Sequence, residues 1–480
     1  MQILVHSEAG TTAYDLPQPM TIAEFFHTVQ LPFPFPCGGN GTCGKCKVIA
    51  KGKLSPPGAE EKQLLHPSEI AQHVRLACRA TLLGDCEIFL KPQTGHMQTA
   101  TAMHAMAAAT GSRNGTGAAV DIGTTTIAVQ WLDLATGAPV GEDCRINPQV
   151  RFGSDVVSRL QYAAAHGGQE LQTVVNGAID EMLAGRPEPV KSLVITGNTV
   201  MLHFFTGLDT SGFNAAPFAP QSLFGETRGR AYLPRCISAF VGADITTAIL
   251  ASKMLFGKSA FLVDIGTNGE MAYWDGQTLR CCSTAAGPAF EGAGLSCGMP
   301  ALPGAICSVY IENGDLHYKT VDNQPPAGIC GSGIIDLLAC MLRQGRLDAY
   351  GYLENPFSIG DSGIAVTPAD IRQIQLAKDA IAAGIETLCP DVQALETFYI
   401  AGGFGQYINL QNAAAIGLLP KNVTGKAVIL GNAALAGASM ILCGSAARQE
   451  AEHIAKTAET VPLSQNPAFM EAYVEHMLFE

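Results

Sequence analysis

Positive charge is scarce in this chain of 480 residues: 29 lysines and arginines stand against 42 aspartates and glutamates, a formal charge of −13, and no basic run exceeds a few residues. That balance argues against nucleic acid as a partner. Charged residues of both signs make up only 15% of the chain while 47% is hydrophobic, which excludes a disordered polymer and leaves ample core for two to four domains. The first thirty residues lack the basic start, apolar middle and small-residue cleavage site of a signal peptide. The most apolar late stretch, residues 433–443, is too short to span a bilayer and holds Gly437 and Ser439. The expectation is a cytoplasmic protein. Its 15 cysteines are odd in number and scattered through apolar segments, as suits reduced thiols. Cys236, Cys307, Cys340 and Cys443 read as small core residues.

Two short segments read almost alike: Ala119-Val-Asp-Ile-Gly-Thr-Thr-Thr126 and Leu262-Val-Asp-Ile-Gly-Thr-Asn-Gly-Glu270. Each is an apolar run ending in Asp, then Gly, then hydroxyl residues. In a strand-turn-strand unit this order sets a carboxylate at the strand end and lets backbone N–H groups and hydroxyls face a phosphate. One copy alone is weak evidence, short enough to occur by chance or as an ordinary hairpin turn. Two copies suggest a duplicated half-domain facing its twin across a cleft.

Near the start, Pro36-Cys-Gly-Gly-Asn-Gly-Thr-Cys-Gly-Lys-Cys46 can build neither helix nor strand, but it lets backbone wrap closely while thiolates point inward. Cys78 follows in Arg75-Leu-Ala-Cys-Arg79. Zinc is the rival reading, yet a zinc ribbon needs two close Cys pairs and Cys78 has no near partner. The C-x5-C-x2-C loop with one distant Cys resembles the [2Fe–2S] ferredoxins, its first gap one residue longer than the plant spacing and similar to adrenodoxin-like members. The resemblance names Cys37, Cys43, Cys46 and Cys78 as ligands. Cys86, in a run that reads as a strand, is a bystander that could replace a lost ligand. A plant-type cluster sits near about −400 mV, so residues 1–95 form a one-electron carrier that needs an upstream low-potential donor.

Residues 96–117 carry hardly a charge and read as a flexible linker, with a short helix expected over 103–109; a metal site built on His104 and the nearby methionines has nothing to fix its geometry. Beyond it, a helix is expected to open at Ser154 or Asp155, an amphipathic one to run over 170–184, and another over 243–255. Thr367 reads as a helix cap with Pro368 at the first position, the helix running through Lys378 to Ile385. Lys378 itself reads either as part of a solvated face or as a cleft residue. Strands end in Gly197-Asn-Thr, Gly402-Gly-Phe-Gly405 and Gly431-Asn-Ala. Gly328-Ile-Cys-Gly-Ser-Gly-Ile-Ile-Asp336 opens a helix whose N–H groups, at Gly331 and Gly333, could meet a phosphate or ribose. Singly, each glycine loop is an ordinary strand-to-helix turn. Together they sit at one edge of the sheets, where open α/β folds bind ligands.

The order Asp-x-Gly-Thr-Thr, Asp-x-Gly-Thr-Asn-Gly-Glu, Gly-Gly-Phe-Gly resembles the acetate and sugar kinase, Hsp70 and actin (ASKHA) superfamily. That resemblance implies a multidomain α/β fold: an N-terminal β-grasp ferredoxin-like domain, then a duplicated ribonuclease-H-like, two-lobed ATPase with lobes at 118–257 and 258–480. Gly123, Thr124, Thr125, Gly266, Thr267, Asn268, Gly269 and Glu270 would hold ATP phosphates. Gly402, Gly403 and Gly405 would hold adenosine, and Asp121 and Asp264 would serve Mg²⁺ and the attacking water. Glu291 is a weaker candidate, as is Glu270 for chemistry; either could only cap a turn. The fusion, with Asn147-Pro-Gln and Gly287-Pro-Ala-Phe-Glu-Gly292, resembles the reductive activators of corrinoid proteins. It implies ATP-driven transfer of one electron from the cluster to the Co(II) corrinoid of a partner methyltransferase or corrinoid protein, restoring Co(I). The base-off cobalamin motif Asp-x-His-x-x-Gly is absent, so the corrinoid belongs to the partner. His203 either approaches that corrinoid or is a buried, hydrogen-bonded histidine. Larger members carry a middle domain where only 96–117 stands here, which bears on the partner and on a possible homodimer. The competing readings are a small-molecule kinase regulated by a redox cluster, an ATP-binding redox-sensing module, and an activator of radical dehydratases. The last bridges two chains with a [4Fe–4S] cluster, against which the Cys set within 37–78 argues.

Overall fold

The computed structural model describes residues 1–7, 10–29, 31, 33, 35, 39, 41, 44–90, 114–186, 188–403 and 405–479. The helix expected over 103–109 lies outside them. The chain divides into two compact units, Met1–Gly95 with Pro148–Gly167, and His96–Asn147 with Gly168–Glu480.

In the first unit, strand Gln2–Ser7 pairs antiparallel with Gly10–Asp15 and parallel with Thr81–Phe89, which pairs antiparallel with Lys47–Leu54, and that strand in turn with Val74–Leu76. Period-two burial puts Ile3 and Val5 inside. Helix Ile22–Thr28 starts on a capping box, the Thr21 hydroxyl accepting from Glu24 N while the Glu24 carboxylate accepts from Thr21 N. Its Ile22, Phe25 and Phe26 are fully buried in the core with Ile3, Leu76, Leu82 and Ile88. Each such side chain contributes about 1.5–3 kcal/mol.

The second unit holds two six-stranded sheets that repeat one plan. In the first, Thr116–Ile122, Thr126–Asp133 and Pro139–Ile146 form an antiparallel meander. The opening strand also pairs parallel with Val190–Gly197, which pairs parallel with Ala231–Leu233. In the second sheet, Ala260–Ile265, Gly269–Trp274 and Leu279–Thr284 form the meander, and the opening strand pairs parallel with Thr397–Ala401, then Ala427–Gly431. Both opening strands are buried almost throughout, which explains their unbroken apolar reading. Helices Ala243–Ser252 and Ala433–Cys443 pack together so closely that Gly437 lies against the backbone of Thr247.

Helix Pro368–Leu388 begins on Thr367, with Asp370 completing a capping box. Lys378 corrects the solvated-face reading: it is fully buried. Its ammonium donates to the carbonyls of His476 and Leu478, pairs with Asp379 at 3.0 Å, and lies 5.3 Å from the centre of the Phe479 ring. The C-terminal segment covers that face of the helix. His203 is likewise buried, its Nδ1 2.7 Å from the carbonyl of Thr199 and its Nε2 accepting from Ser222 N.

Candidate functional site

Cys46 follows the glycine-rich loop and Cys78 follows strand Val74–Leu76. Their sulfurs lie 3.2 Å apart, both side chains nearly buried. That is far beyond the roughly 2.04 Å of a disulfide and close enough for both to bond one metal. The placement of Cys78 has a local cause. Arg75, one residue from the end of its strand, makes a buried paired contact with Glu61, Nε to Oε1 at 2.9 Å and Nη2 to Oε2 at 2.7 Å. Glu61 also accepts from Leu76 N at 3.0 Å. Against the upward push of burial, these donors hold the Glu61 carboxyl below its usual range. The ion pair thereby fixes the backbone two residues before Cys78. Cys37 and Cys43 lie outside the described residues. Cys86 is buried in the sheet, its thiol donating to Lys53 O at 3.3 Å, and burial raises its pKa.

In the second unit the two similar loops open on one cleft. Its lining includes Asp121, Gly123, Thr124 and Thr125 from one, and Asp264, Gly266, Thr267, Asn268 and Glu270 from the other. Gly331, Gly402 and Gly403 join them. Gly269, Gly333 and Gly405, expected among the binding residues, are not on the lining. Each is closely packed in the body instead, Gly269 against Thr284 and Ile381, Gly333 against Ile306 and Ile329, and Gly405 against Ile400. Gly402 has φ +89°, and a side chain there would run into the Asp264 carboxylate.

The first loop is pinned by Asn147, whose side chain donates to Gly123 O at 2.8 Å and whose N–H donates to Thr125 O at 2.9 Å. Asn432, capping helix Ala433–Cys443, donates to Asp121 at 3.1 Å and so ties the head of that helix to the first strand. The second loop closes on itself through Gly266 N to Asn268 O, and Asn268 donates to Glu270 at 3.1 Å. Glu291 receives the Thr125 hydroxyl at 2.5 Å and the Thr267 hydroxyl at 2.7 Å.

The electrostatics of the cleft are one-sided. Burial, then Asp244 and Asp121, push Asp264 up to about 8. Burial and Asp244 push Asp121 up to about 7, and burial alone takes Asp244 to about 6. Glu270 is raised well above its ordinary value by burial, Asp244 and Asp264. The described lining holds neither lysine nor arginine. A phosphate chain could enter only with a cation to offset these charges. Among the described residues no group of three or more His, Cys, Asp or Glu side chains is placed to hold a metal by itself. The carboxylate and hydroxyl oxygens of the lining are hard donors that suit a cation such as Mg²⁺, held through one or two carboxylates, waters and the phosphates themselves. Asp244, at the second position of helix Ala243–Ser252, was not evident from sequence; its only signal is an acidic residue at a helix start. Tyr407, half exposed on the lining beside Gly402 and Gly403, carried none.

Three family models match the chain: a 2Fe-2S iron-sulfur cluster binding domain at residues 6–83, the RACo middle region at 116–256, and the C-terminal domain of RACo, the ASKHA domain, at 258–480. A middle region is thus present, and it coincides with the first of the two sheets in the second unit; the expectation that no middle domain stands here is corrected in that respect. The corrinoid activation enzyme RamQ of Eubacterium limosum is 32% identical over 419 residues, 76% of this chain and 70% of RamQ. The Co(II) methylated amine-specific corrinoid protein reductase of Methanosarcina barkeri is 27% identical over 411 residues, 75% of this chain and 76% of that protein. A solved reductive activator for corrinoid, iron-sulfur protein superposes with a TM-score of 0.69 at 27% identity, covering 100% of this chain and 98% of the other. With a curated relative 32% identical and covered over 70% of its length, the chain belongs to the family of reductive activators of corrinoid proteins.

Proposed function

We propose that this chain is an ATP-dependent reductive activator, passing one electron to the Co(II) corrinoid of a partner methyltransferase or corrinoid protein and so restoring Co(I). A [2Fe–2S] cluster bound to Cys37, Cys43, Cys46 and Cys78 would supply the one-electron chemistry. The observation that carries the reading is the approach of the Cys46 and Cys78 sulfurs to 3.2 Å across 32 residues, in a chain whose second unit holds an acidic, cation-demanding cleft. The reading keeps an iron–sulfur domain at 1–95, a linker at 96–117 and two ribonuclease-H-like lobes at 118–257 and 258–480; the repeated strand order of the two sheets supports the lobes, while the first strand already opens at Thr116 and 148–167 groups with the first unit.

Within the cleft, Thr125 and Thr267 would donate to phosphate oxygens of a bound nucleotide, and Asp121 and Asp264 would serve its cation and the attacking water. Gly402 and Gly403 leave room for the nucleoside. Each 59 mV of uphill gap costs a factor of ten, about 1.4 kcal/mol. A gap of a few hundred millivolts is met only if the ATP-bound chain binds the corrinoid partner differently from the empty one. ATP then acts on the coordination of the acceptor, and the reduction potential of the chain's own iron–sulfur centre stays put when ATP is added alone. The test mixes reduced protein with a Co(II) corrinoid protein, with and without Mg·ATP, and follows Co(I) absorbance. Co(I) appearing only with ATP supports the reading; its absence with every corrinoid partner tried refutes it.

A further inference from the structure

We propose that Glu291 is a built-in stand-in for the terminal phosphate of the nucleotide, holding the two phosphate loops together until ATP displaces it. The inference rests on the ATP reading of the cleft and extends it. Thr125 is one of three threonines in the first loop and Thr267 the hydroxyl residue after the glycine of the second, and they stand 142 positions apart in the chain. Both donate to the same oxygen, Oε2 of Glu291, at 2.5 and 2.7 Å. An anionic oxygen that gathers one hydroxyl from each loop takes the donors those loops would give a phosphate. The other oxygen of Glu291 faces the second loop, where even a methyl on Gly266 would come within 3.3 Å of it.

The placement is not explained as turn capping. Glu291 ends the short turn Pro288–Glu291, and the side-chain bonds described for it leave that turn, reaching 24 residues back to Thr267 and 166 back to Thr125. Nor does charge pairing explain it, because the described lining contains no basic residue and Asp264 and Asp121 share the cleft. A carboxylate held there by two hydroxyls alone is readily exchanged for a better anion that brings its own cation. Its turn can give way: Gly287, which precedes it, has φ +78° and open space around it.

The consequence is competition. While Glu291 occupies the hydroxyls, only the fraction of molecules with Glu291 displaced binds ATP productively, and the apparent affinity falls by that fraction. Removing the competitor must tighten ATP binding. Calorimetric titration of the full chain with a hydrolysis-resistant ATP analogue and with ADP, both with Mg²⁺, tests this in wild type, Glu291→Gln and Glu291→Ala. If Glu291 is displaced in about one molecule in ten, the expected gain is about tenfold for the ATP analogue and clearly less for ADP, which lacks the terminal phosphate. The visible spectrum of the iron–sulfur centre and the urea midpoint report whether each variant is folded, and Glu291→Gln preserves the shape of the site if Glu291→Ala does not fold. ATP-analogue affinity that is unchanged or weaker in the folded variants overturns the proposal, whatever happens to hydrolysis, because a catalytic base or cation ligand behaves in that way. Equal tightening for ADP and the analogue also overturns it. Wild type that binds neither nucleotide sinks the ATP reading itself, a result distinct from either.

Discussion

Replacing Gly437 by alanine sets two physical effects against each other with opposite signs. Gly437 lies within helix Ala433–Cys443, and in a helix interior alanine is favoured over glycine by about 0.8–1.0 kcal/mol. Propensity alone therefore predicts a more stable protein. The structure predicts the reverse. A methyl at Gly437 would collide with the Thr247 carbonyl oxygen and come within 2.5 Å of its carbon and 2.8 Å of its Cβ. Two of those three atoms are backbone of the facing helix, so no rotamer change relieves the clash and the helices must separate. Overpacking of this kind costs about 1–3 kcal/mol, and backbone contact places it at the upper end, leaving a net loss of about 2 kcal/mol after the propensity gain. The same helix carries Asn432 at its head, bonded to Asp121, so the displacement also loosens the acidic cleft. The assay has a built-in reporter: the chain has two tryptophans, Trp131 and Trp274, and both lie in the second unit. Tryptophan fluorescence during urea unfolding of the full chain then reads the ATPase body and not the iron–sulfur unit. A midpoint equal to or above wild type in Gly437→Ala would refute the packing argument.

Cys46→Ser and Cys78→Ser each abolish the visible iron–sulfur absorbance, whereas Cys86→Ser, whose thiol serves the sheet, keeps it; loss on Cys86→Ser and survival on Cys78→Ser would reverse the ligand assignment. The raised carboxyls set a pH dependence. Because the folded pKa values lie above the unfolded ones, the stability they contribute is complete at low pH and is lost as pH rises through about 6 for Asp244, about 7 for Asp121 and about 8 for Asp264. The thermal midpoint of the nucleotide-free body, read by tryptophan fluorescence, is expected to fall from pH 5.5 to 8.5, roughly the span of those values, and Mg²⁺ is expected to flatten the fall; a rising midpoint contradicts the assignment. Lys378→Ala strands Asp379 in the core and frees the C-terminal carbonyls, a loss of about 3–5 kcal/mol, while Lys378→Met with Asp379→Leu recovers most of it in the same urea titration.

Much of this was legible in the chain because the signals are local. The twin Asp-Ile-Gly-Thr loops, the cap at Thr367 with Pro368 behind it, and the cysteine loop each declare themselves within a dozen residues. What was not legible depends on contacts between distant segments. Lys378 occupies a helical position that periodicity leaves open, and only the C-terminal segment about a hundred residues later buries it. Glu291 could be read as a turn cap until two threonines from separate loops converge on one of its oxygens. Asp244 enters the cleft because its helix points there, which sequence does not specify. The grouping of Pro148–Gly167 with the iron–sulfur unit likewise has no local signature. Gly269, Gly333 and Gly405 share motifs with residues on the lining but lie off it, packed closely against the body.

The most direct measurement mixes the reduced full chain anaerobically with a Co(II) corrinoid protein and records Co(I) absorbance against Mg·ATP concentration, beside Cys78→Ser and Asp264→Asn. An ATP-dependent Co(I) signal in wild type, with none from Cys78→Ser and a strongly reduced one from Asp264→Asn, is the predicted result. A Co(I) yield from wild type that is the same without ATP, or undiminished in Asp264→Asn, would contradict the claim that the acidic cleft drives the electron to cobalt.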